Sequence, residues 1–457
     1  MKKLSVKELV IATNGRLLCG DEEVLIDNVV IDSREVNANS LFIPIIGEIH
    51  DAHKFMESCY QSGCRTFLID ENHTFDKEDI NLIQVKDTTV AFGSISKYYR
   101  NLFDVDCIAV TGSTGKTTTK DMTYSVVNTK YKTLKNLENL NNEIGVPKTL
   151  LNLDETYEKI IVEMGMQHKG EIDYLKNLAN PRIAIITKIG MAHIEFFENG
   201  KQGIFEAKME VANTFNNNNI LIVNGDDEYL KTLKTKNLKY KLLTYGFDNS
   251  NDMYCKKYSI SDVANFTVVY QNKEYEFTIP TPAKHNILNA MAAIMTGFIL
   301  DIDYLDIKKG LANYESSKNR MDIFKKDDIT FINDSYNANY DSMIAMIDVL
   351  SSYETRKVAI LGDMYELGKE EEHVHKEVGK YLKEKNIDIL ITVGHISNII
   401  NESAIKHGFD KNNSYHYNDK DELLKEINSL IKKNDTVLIK ASNGVKLFEI
   451  ANYYKEK

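Results

Sequence analysis

From residue 316 to the C-terminus, short apolar runs alternate with stretches whose apolar positions recur every three or four residues. The runs predict strands at 329–333, 357–361, 387–393 and 436–440. The stretches between them predict helices at about 341–354, 370–385, 396–407 and 420–433. Alternation of that kind implies parallel strands joined by right-handed crossovers, a doubly wound Rossmann-like unit. No Gly-x-Gly-x-x-Gly occurs in it, so a dinucleotide cofactor has no support there. A similar alternation fills the middle of the chain, with strands predicted at 106–110, 159–164, 182–187 and 219–223 and a helix at 118–130. The first 86 residues read differently. Ser5 and Glu8 form a capping box that opens a short helix, Gly15 is placed to end it, and short strands follow, among them 25–31 and 66–69. Pro44 and Gly47 punctuate one of the loops between those strands. The longest apolar stretch, 287–300, is interrupted by Asn289 and Thr296; it is too short to span a bilayer and predicts a buried helix. No internal repeat or low-complexity segment breaks the pattern. The expected architecture is α/β in three domains: a small N-terminal α/β domain at 1–86, a central parallel sheet at 87–315 and a C-terminal Rossmann-like domain at 316–457. A length of 457 residues suits about three cores.

Composition narrows the class. Apolar residues at 43% and charged residues at 27% are the mix of a soluble globular chain, not a disordered one. A formal charge of −11 argues against a nucleic-acid surface, although local lysines and helix N-termini can still hold anionic substrates. The five cysteines, at 19, 59, 64, 107 and 255, are odd in number and lack Cys-x-x-Cys spacing. That suits reduced thiols in a cytoplasm better than a disulfide framework or a zinc site. The charged start Met-Lys-Lys leads into Glu8 with no apolar segment behind it, so secretion and stable membrane insertion are not expected.

Residues 110–117, Val-Thr-Gly-Ser-Thr-Gly-Lys-Thr, lie between a predicted strand and a predicted helix, the context a phosphate loop requires. The common pattern places glycine six residues before the lysine, where this chain has Val110. The match is to a shorter variant built on Gly112 and Gly115, and it makes the central sheet P-loop-type. Glycines let backbone N–H groups turn towards phosphate oxygens, and the helix N-terminus adds partial positive charge. Lys116 would reach the β- and γ-phosphates of ATP, and Thr117 would hold Mg²⁺. The plainer reading, a Gly-rich turn before a helix, loses ground because strand, glycines, Lys-Thr and helix coincide. Glu163 ends a predicted strand, where a magnesium ligand facing the loop must stand, yet it reads equally as an ordinary strand-end acid. Taken alone, His193 reads as a satisfied polar residue and Lys208 as a solvated helical lysine.

Taken in order, the motifs resemble the Mur ligase family over nearly the whole length. They run through Asp32-Ser33-Arg34, the phosphate loop, residues 139–147, Glu163-Met164-Gly165 with Gly170, His193-Ile194-Glu195 and Ala207-Lys208-Met209. They continue through residues 285–290, residues 334–339 with Ser342, and residues 361–368. Within the family, the resemblance is to the branch that joins D-alanyl-D-alanine to UDP-N-acetylmuramoyl-tripeptide in peptidoglycan precursor synthesis. It implies a monomeric cytoplasmic ligase working through an acyl phosphate, with ATP and Mg²⁺. Ser33 and Arg34 would face the UDP-sugar, and Asn139, Asn141, Asn142 and Asn337 would contact substrates. Gly112, Ser113, Thr114, Gly115, Lys116, Thr117 and Thr118 would hold the phosphates. Asn286 and Asn289 would lie on the adenine side, while Arg320 and Asp334 would contact nucleotide. Thr117 and Glu163 would serve a first Mg²⁺, and His193 with a carbamylated Lys208 a second. Lys116, Lys208 and His193 would carry the catalysis.

The chain departs from the family's pattern at Ala52, Glu138, Lys188, Asn333, Tyr340 and Asn443. The usual residues there are Gly, Gly, Asn, Asp, Pro and Arg. None of the six is a phosphate or metal ligand of the resemblance. Other expectations stay open: a divergent ligase acting on another acid, as folylpolyglutamate and cyanophycin synthetases do, a P-loop ATPase switch without ligation, or a small-molecule kinase.

Overall fold

The computed structural model describes residues 1–47, 49–137 and 139–456, so Glu138 lies outside the described residues. The chain divides into two compact units. The first comprises Met1–Ala109, Tyr131–Met166 and Gly170–Ile183, and the second Val110–Lys130, Gln167–Lys169 and Ala184–Lys457.

In the first unit, the Ser5–Glu8 capping box opens helix Val6–Thr13. The helix stops at Asn14, which takes the left-handed conformation (φ 51°), and not at Gly15 as expected. Asn tolerates that conformation because its short polar side chain can bond locally. Gly15 answers a different need, since a Cβ there would come 2.8 Å from the Gln84 carbonyl oxygen. A five-stranded sheet runs in the order Arg16–Cys19, Asn81–Val85, Thr66–Asp70, Ser40–Phe42, Asn28–Val30, parallel except at the Arg16–Cys19 edge. The strand expected at 25–31 is two. Leu25–Ile26 pairs with Leu4–Ser5, and Asn28–Val30 joins the larger sheet, so the chain changes sheets at Asp27. Phe42, Phe67, Ile69 and Leu82 fill the core beneath. The same unit holds the parallel pair Thr133–Lys135 and Lys159–Glu163.

In the second unit, a six-stranded sheet runs Asp322–Lys326, Ile329–Asn333, Asp435–Lys440, Arg356–Gly362, Ile389–Val393, Ser414–Tyr417. All pairs are parallel except the first. Two apolar clusters, one around Ile347, Leu361 and Leu390 and one around Ile360, Ile391 and Ile427, use alternate residues of the same strands. Both faces of the sheet are therefore buried, which is why these strands read as continuous apolar runs. The helices Tyr340–Ser351, Glu371–Glu384, Asn398–Lys406 and Lys420–Leu430 fall where the helical period places them.

The unit also holds parallel strands Ile220–Asn224 and Lys241–Gly246, followed by the antiparallel meander Met253–Ile260, Ala264–Tyr270, Lys273–Ile279. Sequence reading missed this meander. Its signal was present as alternating apolar positions around Gln271-Asn272, both at positive φ as a two-residue hairpin turn demands. Helix Lys284–Ile299 contains nearly all of the apolar stretch 287–300 and is buried along most of its length. Among the described residues, no helix is long and apolar enough to cross a membrane. The architecture is α/β with parallel-rich sheets.

Candidate active site

In the second unit, helix Lys116–Val127 begins at Gly115, which is left-handed (φ 78°). No side chain caps it, so its first backbone N–H groups are donors for an anion. Both loop glycines are required by close approach. A Cβ on Gly112 (φ 151°) would come 1.9 Å from Thr187 Oγ1, and one on Gly115 would come 2.6 Å from Asn289 Oδ1. Ser113 N donates to Lys188 O at 2.8 Å and Thr187 Oγ1 to Thr114 O at 2.5 Å, so the loop is pinned to the segment that follows strand Ile183–Ile186. Lys116 Nζ donates to Gly112 O at 2.9 Å, folding back over the loop. Thr117 is buried and Thr118 half-buried.

Behind the loop runs a chain of buried amides. Thr119 Oγ1 donates to Asn289 Oδ1 (3.1 Å), Asn289 Nδ2 to Asn286 Oδ1 (2.9 Å), and Asn286 Nδ2 to Thr281 Oγ1 (2.8 Å). Asn286 and Asn289, three apart on one helix, thus buttress Gly115 from below. Asn286 also lies 3.4 Å from Met321 Sδ, and Met321 N donates to Asp334 Oδ1 at 3.0 Å. Arg320 stacks its guanidinium 3.9 Å from the Tyr336 ring centroid. Asp334 pairs with the buried ammonium of Lys440, which also donates to Asn337 O at 3.1 Å. Lys440 was not singled out from sequence. Its signal is a lysine closing the apolar run of strand Asp435–Lys440.

Lys208 lies in helix Lys201–Met209 at 2% exposure, not in solvent as its sequence alone suggests. No carboxylate pairs with it among the described residues. Burial pushes its pKa well below the ordinary lysine range, and the charge of Lys116 adds to the effect. A neutral amine held beside a phosphate loop is the chemistry a carbamate requires.

His193 adopts φ 64°. Its Nδ1 is buried, and Glu366 Oε2 stands 2.5 Å from it, out of line for a straight hydrogen bond. The ring nonetheless holds the Glu366 carboxyl below the usual carboxylate range. Lys188, one of the departures, has a partner of its own in Asp341 at 2.6 Å. Asp341 Oδ2 also accepts from Met191 N at 3.3 Å. Asn333 is fully buried and accepts from Ser335 Oγ at 2.5 Å, Tyr340 starts a helix capped by Asn339, and Asn443 donates to Tyr336 O at 3.1 Å.

In the first unit, Asn141 Nδ2 donates to Glu163 Oε1 at 2.8 Å, and Asn136 brackets the Glu163 backbone with bonds of 2.8 and 3.1 Å. Asn142 Oδ1 accepts from Gly145 N at 2.9 Å, while Asn139 is exposed. Ser33 and Arg34 lie in a 3₁₀ turn capped by Asp32, and the exposed Arg34 forks onto that carboxylate at 2.6–3.2 Å.

Asp51, His53 and His73 form a separate cluster in the first unit, with Asp51 bridging His53 Nδ1 (2.7 Å) and His73 Nε2 (3.0 Å). The rings are parallel within 3° and 3.8 Å apart, so their lone pairs lie in separate planes and no single ion lies in both. The cluster is a hydrogen-bonded brace. Its bond to Asp70 (2.7 Å) comes first among the causes that raise the His73 pKa, with the Asp51 charge adding to it. The folded chain therefore holds a proton there more tightly than the unfolded one, and that stabilisation is complete below the ordinary histidine value near 6.5. It is lost as pH rises through the folded value. The thermal midpoint of the wild-type protein should exceed that of His73→Ala most at about pH 6, and the gap should narrow towards pH 9. A gap independent of pH would rule the brace out.

Residues 110–297 match the Mur ligase middle domain, and residues 319–443 match the Mur ligase glutamate ligase domain. The UDP-N-acetylmuramoyl-tripeptide–D-alanyl-D-alanine ligase of Bacillus subtilis is 39% identical over 455 residues, 98% of each chain. The Escherichia coli protein of that name is 31% identical over 463 residues, covering 100% of this chain and 99% of its own. A crystal structure of MurF from Acinetobacter baumannii superposes with a TM-score of 0.91 at 29% identity, covering 100% of both chains. On this evidence the chain belongs to the Mur ligases, a family of ATP-dependent enzymes that form amide bonds.

Proposed function

We propose that this protein joins D-alanyl-D-alanine to UDP-N-acetylmuramoyl-tripeptide in the cytoplasm, as a monomer, for peptidoglycan synthesis. The observation that carries the reading is the match, end to end, to ligases bearing that name. The proposed division has residues 1–86 holding the UDP-sugar through Ser33 and Arg34, 87–315 holding ATP, and 316–457 delivering the amine. Asn139, Asn141, Asn142 and Asn337 are assigned to substrate, and Arg320 and Asp334 to nucleotide.

The electrostatics explain the parts. A substrate carboxylate must approach the γ-phosphate, and two like charges 4 Å apart repel by about 4 kcal/mol at an effective dielectric near 20. Lys116 and the backbone N–H groups of Gly112, Thr114, Gly115, Thr117 and Thr118 offset that repulsion. The carboxylate oxygen bonds to the γ-phosphorus and the bond to the ADP oxygen breaks, giving an acyl phosphate and ADP. The amine then attacks the carbonyl carbon, phosphate leaves with the bonding pair, and the amine gives up a proton. Thr117 and Glu163 would hold one Mg²⁺, and His193 with carbamylated Lys208 a second. Bound there, the ions supply charge neutralisation and alignment. Asn286 and Asn289, on the adenine side in this reading, also set the height of Gly115.

Hydroxylamine tests the intermediate. A hydroxamate should accumulate only when ATP and UDP-linked tripeptide are both present. ATP hydrolysis at full rate without tripeptide, and no hydroxamate, would instead favour a nucleotide switch. A panel of UDP-linked tripeptides and dipeptides, read by phosphate release, then identifies the third residue.

A further inference from the structure

We propose that Glu366 is a positioning residue that fixes the His193 ring so that Nε2, not Nδ1, is presented to a divalent cation. The proposal rests on the assignment of His193 to a metal site made above. Its first support is the 2.5 Å approach of Glu366 Oε2 to the buried His193 Nδ1. A carboxylate on Nδ1 makes that nitrogen the proton donor and leaves the Nε2 lone pair free, the arrangement by which an outer carboxylate orients a ligating imidazole.

The second support is independent of that distance. His193 (φ 64°) and Glu366 (φ 62°) are both held in the left-handed region, which histidine tolerates better than most L side chains and glutamate rarely adopts. Backbone strain at Glu366 means that the surroundings impose the geometry of the contact on it. Those surroundings are identifiable. Gln167 Nε2 donates to Glu366 Oε1 at 3.1 Å, which turns Oε2 towards the ring. Glu195 N lies 3.5 Å from Glu366 O, and Gly368 (φ 51°) sits where a Cβ would come 2.8 Å from Glu195 Cβ. Glu366 lies in the segment matching the family's C-terminal domain and His193 in the segment matching its middle domain, so presentation of Nε2 requires both.

The test measures Mn²⁺ binding by electron paramagnetic resonance, with a non-hydrolysable ATP analogue present, and reads the His193 tautomer by ¹⁵N-histidine NMR. Glu366→Ala should weaken Mn²⁺ binding about 10- to 100-fold and admit the Nε2–H tautomer. Glu366→Gln, whose amide oxygen still accepts from Nδ1–H, should restore both to within a few-fold of wild type. His193→Ala separates the two levels of inference. If it weakens Mn²⁺ binding and Glu366→Ala does not, the positioning role is overturned and the metal assignment stands. If neither variant changes Mn²⁺ binding, both fall. Equal loss in Glu366→Gln and Glu366→Ala with an unchanged tautomer means that Glu366 serves only structure, which also overturns the proposal.

Discussion

Lys116→Ala is expected to abolish ligation, lowering ATP- and tripeptide-dependent phosphate release by at least about 10³-fold, the upper range for losing one preorganised donor at a developing charge. The fold should survive. Lys116 is half-buried and donates to a carbonyl of its own loop, and the loop stays pinned without it through Ser113 N to Lys188 O and Thr187 Oγ1 to Thr114 O. The thermal midpoint of the variant should lie within a few degrees of wild type. The change also removes a charge that disfavours protonation of Lys208. Wild-type turnover in Lys116→Ala would sink the assignment of the 112–117 loop to the nucleotide.

The second large effect concerns Lys208, for which activity and stability should move in opposite directions. Lys208→Met is expected to cost at least about 10²-fold in turnover, since the carbamate anion is lost. Its thermal midpoint in CO₂-depleted buffer should nonetheless rise, because a buried amine without a carboxylate partner among the described residues gives way to an apolar chain of similar length. The pH dependence provides a further check. The folded-state pKa lies below the unfolded value near 10.4, so between the two the unfolded chain binds a proton that the folded chain lacks. Stability of the uncarbamylated wild type should therefore increase with pH across that window, and Lys208→Met should flatten the slope. Lys208→Ala should be inactive too and partly rescued by a small carboxylate such as acetate. An active Lys208→Met enzyme, or one with an unchanged pH slope, would refute the role.

The departures from the family's pattern take a local meaning once their contacts are known. Lys188 has Asp341 as its counter-ion, and Asn333 serves the backbone and hydroxyl of Ser335. Asn443, in place of a cation, bonds a carbonyl. Each fits its surroundings as a neutral or paired group, so none leaves a buried charge uncompensated.

Elements with a strong local signal were legible in the chain itself. The Rossmann-like strands announced themselves because both faces are buried, the capping box because its bonds join residues three apart, and the phosphate loop because its glycines, lysine and threonine are contiguous in the chain. Strand 25–31 misread because a two-residue transfer between sheets leaves no trace in an apolar run. The meander at 253–279 went unread because its hairpin turn, Gln271-Asn272, lacks the usual glycine.

Sequence by itself determined the strands and helices of the Rossmann-like unit, the loop that can cradle phosphate, and the family to which the motifs point. Only the tertiary structure decided that Lys208 is buried without a carboxylate partner among the described residues, that Lys440 meets Asp334 across more than a hundred residues, and that Glu366 reaches His193. The physical reason is range. Propensity, capping and turn chemistry act between near neighbours, while the ionisation and orientation of a catalytic group depend on which distant side chains packing brings within a few ångströms, and on how much water it removes.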